Sequence, residues 1–385
     1  MTPTVRRHAG ARRRWLFFLV ASLGVVATAL PLGRRRADAA LDAGQSAARG
    51  AVAEGSTLVA TGEATASTSR SASPSVDTSG RSLAPVPPAP VERFIDSRFG
   101  NPVEGRPNVW AYLPRAFDPS RRAIDVVILF HGFHNCLSSF VSPHGAVCTE
   151  GHGPRTGYDL AAQIERSGIE ALVIVPQLAF DTRSAAPGRL EAPGAYARLV
   201  EDVLESALVT DFAARGGART MADVRGYTLV SLSGGNAGLR PALDRGGLSP
   251  IVALGQLDAH YPNDSEFDGW LYEQLPDFAT GRRRFALIYT TPSPTFASAR
   301  QLVDDLRYEL VKQKLPVATL RHRAVEHLVT PDDFDAPLAI THSIRGHDEV
   351  AREDTWKVLR ALGLRGGRAE RPREDAGGAR MAERE

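Results

Sequence analysis

The chain of 385 residues reads as an α/β protein: a mostly parallel sheet covered by helices on both faces. Three observations predict this class. From about Val91 to Leu364, apolar runs of four to eight residues alternate with longer amphipathic stretches. Several of those runs are continuous rather than alternating, as strands buried on both faces require. Serine, histidine and carboxylate residues also fall just after the runs, where open α/β sheets bind ligands.

VWAYLP (109–114) and DVVILFHG (125–132) are the first clear strands. YDLAAQIERSG (158–168) has helical spacing and ends on Gly168, a residue suited to a helix C-terminus. EALVIVPQ (170–177) is a strand, and GAYARLVEDVLESALVTDFA (194–213) carries apolar residues at helical intervals. YTLVSLS (227–233) leads into a short helix, and the strands IVALGQLD (251–258) and FALIYTT (285–291) follow. A strong amphipathic helix covers 295–314, VATLRHR (317–323) is expected as the last strand, and 348–363 as the closing helix. Trp110 belongs to the core, while Trp270 lies on a segment expected to contribute to a lid.

The termini differ in character. Five arginines precede the apolar run WLFFLVASLGVVATALPLG (15–33), and Arg34, Arg35 and Arg36 follow it. As a helix the run would span roughly 28 Å, close to a hydrocarbon core of about 30 Å. Residues 1–36 are therefore expected to form an export signal or a single membrane anchor with its N-terminus inside. Residues 37–90, rich in Ala, Ser, Thr and Pro, have too few large apolar side chains to fold and read as a disordered linker. Residues 91–364 form the folded domain, and 365–385 a disordered charged tail. The expected location is periplasmic, extracellular, or tethered to the outer side of the cytoplasmic membrane.

The formal net charge is +2, lysine occurs three times, and no basic stripe is interleaved with aromatics, so no nucleic-acid partner is expected. Two cysteines, Cys136 and Cys148, cannot build a disulfide scaffold. Outside the cytoplasm they are expected to pair with each other. His134, His144 and His152 share their loop, but the spacing offers no compact zinc-ligand pair, and no metal is assigned.

The chemistry is expected at the ends of the strands. Ser231-x-Ser233-x-Gly235 follows one of them, and a sharp strand-turn-helix needs small residues on both sides of a nucleophilic serine. Ser233 is the candidate nucleophile. His131-Gly132-Phe133 follows DVVILF, where one of two oxyanion donors belongs. The donors assigned are the backbone N–H groups of Phe133 and Gly234, and His131 reads as a turn residue. Asp258 follows IVALGQL as the candidate acid; Asp264, Glu266 and Asp268 lie further on and read as solvated. His347, at the start of the final helix, is the candidate base, with His342 as the alternative; His322 and His327 read as surface. The long stretch between VATLRHR and His347 is expected to be a loop that shapes the substrate entrance.

In this order Ser233, Asp258 and His347 resemble the triad of the α/β-hydrolase superfamily, among its uncharacterised secreted bacterial members. The resemblance covers about residues 91–364 and rests on VVILFHGF, LVSLSGGNAGLR, GQLDAHY and GHDEV. Two departures stand out: Ser231 replaces the usual first glycine, and the acid comes one strand early. The resemblance implies an α/β-hydrolase fold and an extracytoplasmic serine hydrolase acting through an acyl-enzyme, with an ester as the expected bond. It implies no cofactor, a small-molecule or cell-envelope ester or amide substrate, and membrane contact only through the N-terminal segment. An amidase or peptidase would use the same groups. A catalytically inactive, hydrolase-like binding module is the other reading.

Overall fold

The computed structural model describes residues 89–363 except 104, 149–152, 179–184, 215 and 263. The apolar segment 15–33, the linker through residue 88, the tail beyond 363 and His152 lie outside the described residues.

Nine strands form one sheet: β1 (Val91–Ile95), β2 (Val109–Leu113), β3 (Ile124–Phe130), β4 (Ala171–Pro176), β5 (Val224–Leu232), β6 (Ile251–Leu257), β7 (Arg284–Thr290), β8 (Leu320–His327) and β9 (Leu338–Ser343). Their order is β1-β2-β4-β3-β5-β6-β7-β9-β8. The pairs β1/β2 and β2/β4 are antiparallel, and every other neighbouring pair is parallel.

The continuous apolar runs have the expected cause. Side chains alternate across a strand, so β3 sends Val126, Ile128 and Phe130 to one face and Val127 and Leu129 to the other. The first face is covered by α3 (Ala195–Asp202), α5 (Asn236–Asp244) and α8 (Thr295–Lys312), through residues such as Leu199, Leu239 and Leu302. The second is covered by α1 (Leu137–Val141), α2 (Leu160–Ser167) and α9 (His347–Ala361), through Phe140, Ile164 and Leu359. The two faces leave no room for polar alternation along β3, where all seven residues are buried.

Four expectations need correction. The helix expected at 194–213 is broken: α3 is followed by a π-helical turn, Val203–Ala207, and then by α4 (Val209–Ala213). Val200, Leu204, Leu208 and Phe212 are all buried at four-residue intervals. Such a series drifts about 40° per step around an ideal α-helix, and the wider π turn takes up the drift. VATLRHR is not the last strand. It begins with a 3₁₀ turn and continues as β8, which forms the sheet edge, and β9 lies between it and β7. The stretch before His347 is therefore not one long loop; only residues 344–346 separate β9 from α9. The segment carrying Trp270 is no free lid either. It forms α6 (Ser265–Glu273) and α7 (Leu275–Ala279), and Phe267, Leu271, Leu275 and Phe278 are fully buried in the core.

Trp110 is fully buried, and its indole N–H donates to Glu92 Oε1 at 2.8 Å.

Candidate active site

Strand β5 ends at Leu232, and Ser233 adopts a left-handed backbone with φ 49° before α5 begins. A serine rarely holds this conformation, which costs on the order of 1–3 kcal/mol and persists only where the surroundings enforce it. Two glycines show the enforcement. A Cβ at Gly235 would lie 2.4 Å from the Phe130 carbonyl oxygen, so only glycine lets α5 start against the end of β3. A Cβ at Gly132 would lie 3.1 Å from Ser233 Cβ, so the turn after β3 packs directly against Ser233. The usual first glycine is replaced by Ser231, whose buried side chain has no hydrogen-bond partner among the described residues.

That second turn is held by His131. Its ring is fully buried, and burial lowers its pKa to about 4, the bond to the Gly132 carbonyl notwithstanding. The neutral ring donates from Nδ1 to Gly132 O at 3.0 Å, and Nε2 accepts from the Leu178 N–H at 2.9 Å. His131 thus acts as a turn residue rather than a base. Phe133 N–H makes no hydrogen bond among the described residues. Gly234 sits in the first turn of the 3₁₀ segment after Ser233, where an N–H has no preceding carbonyl to bond. Both residues line a cleft of 260 Å³ together with Tyr261, Asn236 and Asp264.

Asp258 follows β6 directly and also has a positive φ, 49°. Its own N–H donates to Ile288 O at 2.7 Å, which stitches the end of β6 to β7. The carboxylate accepts from Thr290 N at 3.2 Å, Thr290 Oγ1 at 2.6 Å, Thr295 Oγ1, and His347 Nδ1 at 2.6 Å. Burial alone would raise its pKa, but the side-chain bonds from His347, Thr290 and Thr295, with the His347 charge, hold it below the ordinary value. His347 is the first residue of α9 and remains partly exposed. Its burial would lower the imidazole pKa, but the Asp258 hydrogen bond and charge, with Asp348, turn the net shift upward.

The hydroxyl of Ser233, a buried residue, meets Tyr261 OH at 3.2 Å, and no hydrogen bond joins it to His347 among the described residues. The Asp258–His347 pair is therefore assembled, while Ser233 is engaged by a tyrosine. His342 is occupied elsewhere: its ring stacks on Tyr289 at 4.7 Å, Nε2 meets Thr291 Oγ1 at 2.7 Å, and Nδ1 lies 3.2 Å from Ala324 O. Cys136 and Cys148 form a disulfide across the loop that begins at Phe133.

Sequence reasoning missed two features. Tyr261, three residues beyond Asp258, carried no signal beyond its nearness to the acid. Asp264 was expected in solvent but is 3% exposed. It binds the amide of Asn236, whose own carbonyl accepts from Gln256 Nε2 at 3.1 Å. The polar Gln256 inside the apolar run IVALGQL was the available hint of a buried polar cluster close to Ser233.

No family model matches the chain, and no curated protein matches it. Solved structures overlap with it. Prolyl oligopeptidase B from Galerina marginata is 11% identical over 71% of this chain and 36% of that one, with a TM-score of 0.32. A puromycin-hydrolysing peptidase of Mycobacterium tuberculosis is 17% identical over 74% of this chain and 42% of that one, at 0.29. The enterobactin esterase of Shigella flexneri is 15% identical over 73% of this chain and 61% of that one, at 0.34. The chain spans less than half the length of the first two. Strand order and the turn after β5, rather than these overlaps, identify the fold: it is an α/β-hydrolase fold.

Proposed function

We propose that the protein is a serine hydrolase that cleaves a carboxylic ester through an acyl-enzyme. The observation that carries this reading is the left-handed Ser233 between β5 and α5, at the same strand ends as the bonded Asp258–His347 pair. A bare binding module has no use for a strained serine at that position.

The chemistry follows from the groups. His347 Nδ1–H is held by Asp258, which leaves Nε2 as the free base and fixes the tautomer. Tyr261 can donate to Ser233 Oγ in the resting site, leaving the serine proton free to pass to His347 as substrate enters and the serine turns. Ser233 Oγ attacks the carbonyl carbon, and the N–H groups of Phe133 and Gly234 meet the developing oxyanion. The alcohol leaves with the proton from His347; a water, activated by the same imidazole, releases the acid. The steps use side chains, backbone and water alone. Amide cleavage would follow the same route with a poorer leaving group.

The contact of Ser233 with Tyr261, rather than His347, favours the second reading, an inactive binding module. A fluorophosphonate probe separates the two. The hydrolase reading expects covalent labelling of the wild type and none of Ser233→Ala, whose turnover falls by up to about 10⁶. An unlabelled, folded wild type supports the binding module. We also place the protein outside the cytoplasm, supported by the arginine-flanked apolar segment 15–33 and by a cysteine pair suited to oxidising surroundings. Fractionation of cells expressing the full chain tests this.

A further inference from the structure

The cleft beside Ser233 has an unbalanced acidic wall. Asp264 lines it with a side chain that is almost wholly buried. One carboxylate oxygen accepts from the Asn236 amide; the other, Oδ1, has no hydrogen-bond partner among the described residues. The cation within 4 Å of Oδ1 is Arg240, whose Nε stands 3.8 Å away, beyond hydrogen-bond reach, and whose side chain is 41% exposed. An unsatisfied buried carboxylate oxygen is costly, and a ligand that donates to it removes the cost.

The charge around it points the same way. Arg240 also lines a second cleft, of 280 Å³, with Asp244, Glu266 and Glu273 on its walls and Trp270 beside them. All three carboxylates are exposed. Four acidic residues thus face one arginine along the two clefts. Burial first, and then the Glu266 charge, push Asp264 up to about 6, against the Asn236 bond and Arg240. Carboxylates therefore outnumber guanidinium groups along the two clefts, an imbalance that favours a cationic substrate over an anionic one.

We propose that this cleft selects substrates bearing an ammonium or guanidinium group, which donates to Asp264 Oδ1 once the half-exposed Arg240 side chain swings aside, while Asp244, Glu266 and Glu273 draw it in. This inference rests on the hydrolase reading for its reaction, but not for its binding.

Two matched ester pairs test it: p-nitrophenyl 6-aminohexanoate against heptanoate, and 5-aminopentyl against hexyl phenylacetate. At least one cationic ester should exceed its neutral partner in kcat/KM by about tenfold or more, a typical value for one charge-assisted hydrogen bond. Asp264→Asn should abolish that excess, read as the ratio of cationic to neutral kcat/KM within each variant, while Arg240→Ala, which removes the competing cation, should enlarge it. No preference in the wild type, or a preference that survives Asp264→Asn, overturns the proposal. If Asp264→Asn does not fold, Glu266→Gln/Glu273→Gln takes its place: both side chains are exposed, and the preference should fall at least about threefold at low salt. An unchanged preference counts against the proposal. Calorimetric binding of hexylammonium against hexanol needs no turnover, so it separates a failure of the cleft assignment from a failure of the hydrolase reading. The ammonium should bind about tenfold more tightly, and equal affinities refute the assignment.

Discussion

Replacing Asp258 by asparagine isolates the part of the site that is already assembled. The carboxylate accepts four hydrogen bonds, from Thr290 N, Thr290 Oγ1, Thr295 Oγ1 and His347 Nδ1. An asparagine of the same shape has one acceptor oxygen. The fixed Thr290 N–H and the two threonine hydroxyls compete for it, and the amide NH₂ is left facing His347 Nδ1. Nδ1 then has to accept, the proton moves to Nε2, and the ring can no longer take the serine proton. In a serine protease the equivalent change lowers kcat by about 10⁴, or roughly 5.5 kcal/mol at 1.36 kcal/mol per tenfold. The same tautomer argument predicts a loss of that order here, with KM changed less than about threefold. The assay is steady-state hydrolysis of a p-nitrophenyl ester, with a thermal melt to show that the fold persists. Retention of more than about a tenth of wild-type kcat by a folded Asp258→Asn protein would refute the role given to the acid.

Three further outcomes follow. His347 must be neutral to act as base, and its pKa lies above 6.5, so kcat/KM should rise with pH through a value above 6.5. A limb below 6.5 in the pH profile would contradict the Asp258 contact. Stability runs the other way for this group: a raised folded pKa gives full stabilisation below 6.5, lost as pH climbs through the folded value. Tyr261→Phe removes one hydrogen bond to Ser233, worth about 1 kcal/mol; kcat should change by no more than about tenfold, and a total loss would make the tyrosine a catalytic residue in its own right. Gly235→Ala forces a Cβ to 2.4 Å from a backbone oxygen, so a thermal melt should show a loss of about 1–3 kcal/mol together with reduced activity.

The strands legible in the sequence are those that the fold buries on both sides. β3, β4, β6 and β7 read as continuous apolar runs because helices cover both faces. β1 was not legible: VERFI exposes its three central residues at a sheet edge and has no apolar run to notice. β9 was missed for the opposite reason. LAITHS is wholly buried, yet it ends in Thr341, His342 and Ser343, polar side chains whose burial depends on β7 and β8 on either side. The site divides in the same way. Ser233 and Asp258 each follow a legible strand and His347 opens the final helix, so position along the chain pointed to them. Tyr261, Asn236 and Asp264 were hidden, because what matters about them is a contact made across 20 or 28 residues, as in Gln256–Asn236 and Asn236–Asp264.

The position of Asp258, one strand earlier than the family pattern places an acid, has a geometric explanation. β6 and β7 are parallel neighbours, and adjacent strands lie about 4.8 Å apart. A carboxylate can therefore move from the end of one to the end of the other with a change in side-chain direction rather than a new scaffold. The left-handed backbone of Asp258 supplies that change, and the Ile288 carbonyl fixes it by accepting the Asp258 N–H. The position one strand later is not empty of function: its Thr290, and Thr295 at the start of α8, hold the displaced carboxylate. Replacing both threonines by valine should therefore loosen Asp258 and with it its hold on His347, seen as a lower kcat on a p-nitrophenyl ester in a protein whose thermal melt still shows a fold; an unchanged kcat would refute the bracing role given to the threonines.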